Sequence, residues 1–267
     1  MKDLLLAYKR ARIHKRSKGY QLKFEHDLEA ELFELYNELM NRTYKPQSST
    51  CFIIHDPKMR EVFAAQFRDR IVHHLLFDYV HVMFERQFIY DSYSCIKGRG
   101  THFGIERLKH FILSESENHT RPCYVLKLDI AGYFMSIDRR LLLELCREIL
   151  DRMKFKASDV EDKRWCDKLD FDFIDYLLEQ TILCDPTADY NKIGAVEEWN
   201  LLPENKSLFT AAPGCGLPIG NLTSQLFSNV YLNKLDQFCK RSLGCRCYGR
   251  YVDDFFLVAV ISDGFGP

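Results

Sequence analysis

The chain has almost no net charge to offer a partner. Its 267 residues carry 37 Lys and Arg against 38 Asp and Glu. No global field draws it to a polyanion, so any such attraction must come from local distribution. A zinc-ligand pattern is also missing. Ten cysteines are scattered along the chain, and Cys245-Arg246-Cys247 has no matching second pair and no histidine cluster nearby. Free thiols in a reducing compartment are expected rather than disulfides. No apolar run approaches the length of a membrane span. Met1-Lys2-Asp3-Leu4-Leu5-Leu6-Ala7 is too short an apolar run for a signal peptide and is followed by bases. A cytoplasmic protein with no membrane partner is the expectation. Repeats and low-complexity tracts are absent, which excludes a solenoid.

What remains is a chain long enough for one large domain or two small ones, 46% hydrophobic. Bases crowd the N-terminus: Lys9, Arg10, Arg12, Lys15, Arg16, Lys18 and Lys23, with Asp3 the one acid before Glu25. They read equally as a solvated tail or as an arm that contacts phosphates. Leu28, Leu32, Leu35, Tyr36 and Leu39 recur at helical spacing over residues 25–42. Residues 51–54 form a short β-prone run, with 55–58 as its turn and 59–62 as the return strand. A helix follows over about 67–84, and its adjacent His73 and His74 point to different sides and cannot readily chelate together.

The stretch 91–102 is basic and punctuated by Gly98 and Gly100, and Thr101 is placed to cap a helix over about 102–111. Such a loop can receive phosphates, although it lacks the Walker spacing. Residues 124–129 read as a buried strand that ends on Asp129. A helix over 139–150 carries Leu141, Leu142, Leu145 and Ile149 on its apolar side, and another spans 171–183. Residues 185–212 mix Pro, Gly, Asn and charge and read as an irregular insertion. Pro213 to Asn221 form a loop set by glycine and proline that lets backbone approach a ligand closely. A long helix follows over about 222–240.

The chemistry concentrates at Tyr251-Val252-Asp253-Asp254. Two adjacent carboxylates at the turn of a β-hairpin repel each other, so a cation is expected beside them. Oxygen ligands of this type suit Mg²⁺ with substrate phosphates, while an ordinary acidic turn is the plain alternative. Asp129 also ends a β-element. An antiparallel sheet with helices behind it can bring both sites to one edge, an α+β arrangement.

The ordered set resembles a reverse transcriptase, from about Lys9 to Val260. The strand ending at Asp129 resembles the first catalytic motif of the palm. Gly216-Leu217-Pro218-Ile219-Gly220-Asn221-Leu222-Thr223-Ser224-Gln225 resembles the nucleotide-pocket motif, and Tyr251 to Asp254 the Tyr-x-Asp-Asp signature. Segments 67–76 and 93–102 resemble two finger motifs. Ile219-Gly220 and Ser224-Gln225 stand where most retroviral and intron-type enzymes carry Gln-Gly and Ser-Pro. That pattern is similar to the reverse transcriptases of diversity-generating retroelements, which mutagenise a variable gene at adenines. The pattern Tyr8-Lys9-Arg10-Ala11-Arg12, the histidine pair after Phe67-Arg68-Asp69-Arg70, and Leu232-Asn233-Lys234-Leu235-Asp236 are similar to that subgroup as well.

The resemblance implies RNA-templated DNA synthesis on a right-hand fold of fingers and palm. It divides the chain into a basic extension with a helix (1–44), fingers (45–123) and a partial palm (124–267). It implies two Mg²⁺ ions, or Mn²⁺, held by Asp129 and Asp253, with Asp254 assisting and the Ile130 carbonyl as a further ligand. Phe134 corresponds to the steric gate against a ribose 2′-hydroxyl, with a core aromatic as the plain alternative. Ile219, Gly220 and Gln225 line the nucleotide pocket. Lys97 and Arg99 are candidates for the triphosphate, although Ile96 stands at the family's usual arginine position. Lys9, Arg10, Arg12, Lys15 and Arg16 are the nucleic-acid contacts. Implied partners are an RNA template, a DNA or RNA primer, deoxynucleotides and an accessory variability protein. The strands that follow the Asp-Asp hairpin and the helical thumb are missing, so a truncated chain is expected. A retron, group II intron-like or phage-defence enzyme is the nearest alternative, and a non-catalytic RNA-binding remnant the other.

Overall fold

The computed structural model describes residues 1–13, 18–56, 58–159 and 169–260. In chain order the elements are helices α1 (Lys2–Ala11), α2 (Gly19–His26) and α3 (Leu28–Met40), strands β1 (Ser49–Ile54) and β2 (Arg60–Ala64), and helices α4 (Phe67–Glu85) and α5 (Thr101–Glu115). Strand β3 (Tyr124–Leu128), helices α6 (Tyr133–Ser136), α7 (Arg139–Asp159) and α8 (Phe171–Ile182), strand β4 (Tyr190–Lys192) and helix α9 (Val196–Asn200) follow. Helix α10 (Leu222–Gln237), continued by a π-helical turn over Phe238–Ser242, and strands β5 (Tyr248–Tyr251) and β6 (Asp254–Ala259) come last, and short 3-10 turns lie at Glu204–Lys206 and Leu208–Thr210. The result is α+β, divided into two compact units that each draw on two stretches of chain: Met1–Phe84 with Phe134–Phe227, and Glu85–Tyr133 with Ser228–Pro267.

The first unit carries a sheet of order β2-β1-β4. β1 and β2 are antiparallel, from Thr50↔Ala64 to Ile54↔Arg60, and β4 runs parallel to β1. The expected hairpin around 55–58 is thus present. The stretch 185–212 is not irregular throughout: β4 and α9 lie inside it. Buried Glu61 of β2 ties it down by accepting from the Ser207 hydroxyl at 2.8 Å and the Leu208 amide at 2.7 Å. The helix expected over 25–42 is two helices, broken at Asp27, whose φ of −118° and ψ of 40° leave the helical region. Leu32, Leu35 and Leu39 are buried as their spacing requires. Leu141, expected on the apolar side of α7, is exposed, while Leu142, Leu145 and Ile149 are buried. The buried stripe runs through Leu142, Leu143, Leu145, Cys146, Ile149, Leu150 and Met153, and at 3.6 residues per turn Leu141 falls roughly 120° from its centre, beyond its edge.

The second unit carries a sheet of order β3-β6-β5, antiparallel throughout. Helix α5 packs against β5 and β6, burying Phe111 with Cys247 and Val258. β3, expected to be buried, is exposed at all five positions. Among the described residues it is an edge strand paired with β6, while α5 packs against β5 and β6, which leaves the apolar residues of β3 uncovered. Thr101 is the first residue of α5 rather than its cap; Gly100 holds the cap position, with no side-chain bond to the helix.

Candidate active site

β5 and β6 pair as Tyr251↔Asp254, leaving Val252 and Asp253 as a two-residue turn. The favoured turns of this length need φ > 0 at the first central residue, usually supplied by glycine. Here Val252 adopts φ 58°. A β-branched residue in that region is strained by about 1–3 kcal/mol. The surrounding structure holds it: Arg250 Nη1 donates to the Val252 carbonyl at 2.7 Å.

β3 meets β6 with Leu128 opposite Phe255. One step further along each strand stand Asp129 and Asp254. The register therefore brings carboxylates from chain segments over a hundred residues apart to the same end of one sheet, beside the turn that carries Asp253. Asp129 is exposed, and Asp253 and Asp254 are half-buried. The Lys127 ammonium lies 3.3 Å from Asp254 Oδ1, so the cation expected beside the pair is present in part as a lysine. The three carboxylates offer hard oxygen donors, a type that suits Mg²⁺ when substrate phosphates complete the shell. Among the described residues no group of three or more His, Cys, Asp or Glu side chains is arranged to hold a metal by itself. Ile130, half-buried, directly follows Asp129.

In the same unit Lys97 is exposed. Arg99 is turned toward its own loop, where Nη1 donates to the carbonyls of Ile89 at 3.3 Å and Ser92 at 3.1 Å.

The glycine-bearing loop and Phe134 belong to the first unit. Leu217 N donates to the Phe134 carbonyl, and Gly216 N to that of Ile137, both at 2.8 Å. Phe134 and Ile219 are half-buried and pack against one apolar cluster of Cys51, Phe63, Met135 and Leu208. The Ile219 carbonyl accepts from Phe63 N at 3.0 Å. Gly220 is demanded by its place: φ is 118°, and a Cβ would stand 2.8 Å from Val62 Cγ1. Gln225 is exposed. Thr223 of this motif meets His73 Nδ1 at 2.7 Å, and burial lowers the His73 pKa to about 4, as a structural histidine requires.

The N-terminal bases divide. Arg12 forms a two-pronged bond to Glu25, with Nε–Oε1 at 2.6 Å and Nη2–Oε2 at 3.3 Å, and Arg10 pairs with Asp78. Their helix is docked through Leu4, Ala7, Tyr8 and Ala11. A loose tail is therefore ruled out for 1–11, because acids from α2 and α4 and an apolar face hold it. Lys9 is exposed, while Lys15 and Arg16 lie outside the described residues.

No family model matches the sequence. Protein YkfC of Escherichia coli (strain K12) is 27% identical to this chain over 213 residues, or 79% of the chain and 46% of YkfC. The chain thus spans about half the length of that curated relative. Among the described residues no helix is long and apolar enough to cross a membrane.

Sequence reasoning missed the support beneath the hairpin. Arg250 and Asp236 are both 0% exposed and form a two-pronged ion pair, Nε–Oδ1 at 2.8 Å and Nη2–Oδ2 at 2.7 Å. A signal was available. Asn229 and Asp236 stand seven residues apart, on one face of α10, and polar side chains on a helix face among apolar neighbours must find partners when buried.

Proposed function

We propose that this chain is a reverse transcriptase: it carries out RNA-templated DNA synthesis by nucleotidyl transfer with two divalent ions, Mg²⁺ or Mn²⁺. The observation that carries the reading is the meeting of Asp129 with the Asp253-Asp254 turn at one end of the β3-β6-β5 sheet. Bound ions would lower the pKa of the primer 3′-hydroxyl and neutralise the departing pyrophosphate. Asp129 and Asp253 would hold them from two separate chain segments, with Asp254 assisting and the Ile130 carbonyl as a further neutral oxygen. Exposed Lys97 binds the triphosphate; Arg99, engaged with its own loop, stiffens it. Phe134 excludes a ribose 2′-hydroxyl, and Ile219, Gly220 and Gln225 bound the nucleotide pocket.

The finer reading is the error-prone polymerase of a diversity-generating retroelement. It rests on Ile219-Gly220 and Ser224-Gln225 in the loop motif. An isoleucine packs beside the pocket and offers no hydrogen bond to select the incoming base.

Primer extension on a defined RNA template tests the activity. Extension should require Mg²⁺ or Mn²⁺, and Asp129→Asn or Asp253→Asn should abolish it, since one charged ligand contributes several kcal/mol to the transition state (about 3–4 by comparison with a lost oxyanion donor). Extension retained in both variants would sink the assignment.

A further inference from the structure

The Arg250 guanidinium has five N–H groups, and five hydrogen bonds account for them. Nε and one Nη2 hydrogen go to the two carboxylate oxygens of Asp236. Nη2 also reaches Ser92 Oγ at 3.4 Å. Nη1 donates to Asn229 Oδ1 at 3.0 Å and to the Val252 carbonyl at 2.7 Å. Asp236 is held in turn by the Tyr248 hydroxyl at 2.7 Å, and Asn229 by donating to the Ser94 carbonyl at 2.9 Å. The backbone repeats the attachment: Arg250 N donates to the Asp91 carbonyl, and Tyr93 N to the Arg250 carbonyl.

A buried ion pair is a poor way to gain stability, because apolar residues of similar volume serve as well or better. What apolar residues cannot do here is grip a carbonyl in the turn. The gripped carbonyl belongs to Val252, whose φ of 58° is the costly element of that turn. It immediately precedes Asp253 and Asp254. A planar fork with fixed donors is suited to this task, whereas an ammonium offers a single nitrogen.

We propose that Arg250, braced by Asp236 and Asn229, is a positioning residue that locks the Val252-Asp253 turn and so presents the carboxylates in one geometry to a divalent ion. The inference rests on the polymerase reading of that site. Arg250 does not touch the ion; it acts through the Val252 carbonyl. Without the clamp the turn can leave its strained conformation, and the ligands must be reordered each time an ion binds.

The test is Mn²⁺ binding by the purified chain, followed by the electron paramagnetic resonance of free Mn²⁺, with melting temperature measured in parallel. Five proteins are compared: the parent, Asp129→Asn, Arg250→Lys, Asp236→Asn and Val258→Ala. The last loosens β6, the strand that carries Asp254, from the Phe111 cluster without touching the clamp. We expect Arg250→Lys to weaken Mn²⁺ binding at least tenfold at a temperature where it is folded, and Val258→Ala to stay within twofold of the parent at a comparable loss of melting temperature. Should Arg250→Lys fail to fold, Asp236→Asn, which keeps the volume but frees the guanidinium, is read for a loss of at least threefold. Parent-like affinity in the clamp variants, or an equal loss in Val258→Ala, overturns the positioning role while leaving the metal site in place. A parent that binds no Mn²⁺, or binds it unchanged in Asp129→Asn, overturns the metal reading and this inference with it.

Discussion

The Lys127 ammonium lies 3.3 Å from Asp254 Oδ1, across the β3–β6 ladder. Lys127 stands opposite Phe256, so it and Asp254 are diagonal neighbours on one face of the sheet. The lysine side chain is 74% exposed and the aspartate 48%. A bond so open to water contributes only about 0–1 kcal/mol, which a divalent ion can displace.

That resident cation competes with any metal at the site. Lys127→Met should therefore tighten Mn²⁺ binding by up to about fivefold, the equivalent of roughly 1 kcal/mol. The gain should shrink as salt rises, since exposed charges are screened. Titration of the variant and parent at two ionic strengths reads both effects. Equal affinity would mean that Lys127 swings away freely.

Phe134 has two roles to separate. Its ring is half-buried against the Phe63 and Met135 cluster, so Phe134→Ala should cost less than the roughly 3–5 kcal/mol of a fully buried ring. As a gate, its loss should raise ribonucleotide incorporation relative to deoxynucleotide by about tenfold, or 1.4 kcal/mol. Melting temperature and the incorporation ratio, taken together, decide: a fall in the first without a change in the second assigns the ring to packing.

Ile219→Gln should lower misincorporation opposite template adenine by a factor of about two to ten, the worth of one hydrogen bond of 0.5–1.5 kcal/mol. The backbone bond from Phe63 N to the Ile219 carbonyl does not depend on the side chain and should keep the loop in place. Sequencing of complementary DNA from a defined template gives the answer. Equal adenine error rates in variant and parent would remove Ile219 from base selection.

The basic N-terminus should act unevenly. Arg12 is committed to Glu25, so Arg12→Gln should lower stability and leave the salt dependence of RNA binding unchanged. Exposed Lys9 is free to meet phosphate, and Lys9→Gln should reduce the slope of log affinity against log salt by about 0.7. A slope unmoved in both variants would show that this helix does not meet RNA.

His73 and Glu25 each make stability pH-dependent, in separate windows. Burial lowers the His73 pKa to about 4 from 6.5. Between those values the unfolded chain binds the extra proton, so stability falls as pH falls from 6.5 toward 4. The bond from Arg12 lowers the Glu25 pKa to about 2 from 4.5, helped by Gln21 and Tyr8. Its contribution is complete above 4.5 and is lost as pH falls through about 2. Urea midpoints should therefore respond to acid in both windows, and Glu25→Gln should reduce the loss below pH 4.5 while leaving the loss between 6.5 and 4.5 unchanged.

Residue chemistry and short-range pattern settled much of this in advance. A continuous run of apolar β-formers after Asp254 marks β6, helical spacing marks α3, α4 and α8, and adjacent carboxylates after Tyr251 mark a turn. These features depend on neighbours a few positions away, so they are legible without a fold. The glycine at 220 was legible in the same way, although its collision partner Val62 was not.

Tertiary structure decided the rest, because it depends on which surfaces meet across long stretches of chain. The register Leu128↔Phe255 brings Asp129 to Asp254, and a slip of one residue would turn every side chain of β3 to the other face. The sequence of β3 is apolar enough for a core strand, yet its position at a sheet edge leaves it exposed. Arg10 and Arg12 read as free bases until Asp78 and Glu25 fold against them. Nothing in the sequence singles out Arg250; only the packing of α10 and residues 91–94 against β5 removes water from it and gives it Asp236, Asn229, Ser92 and the Val252 carbonyl as partners.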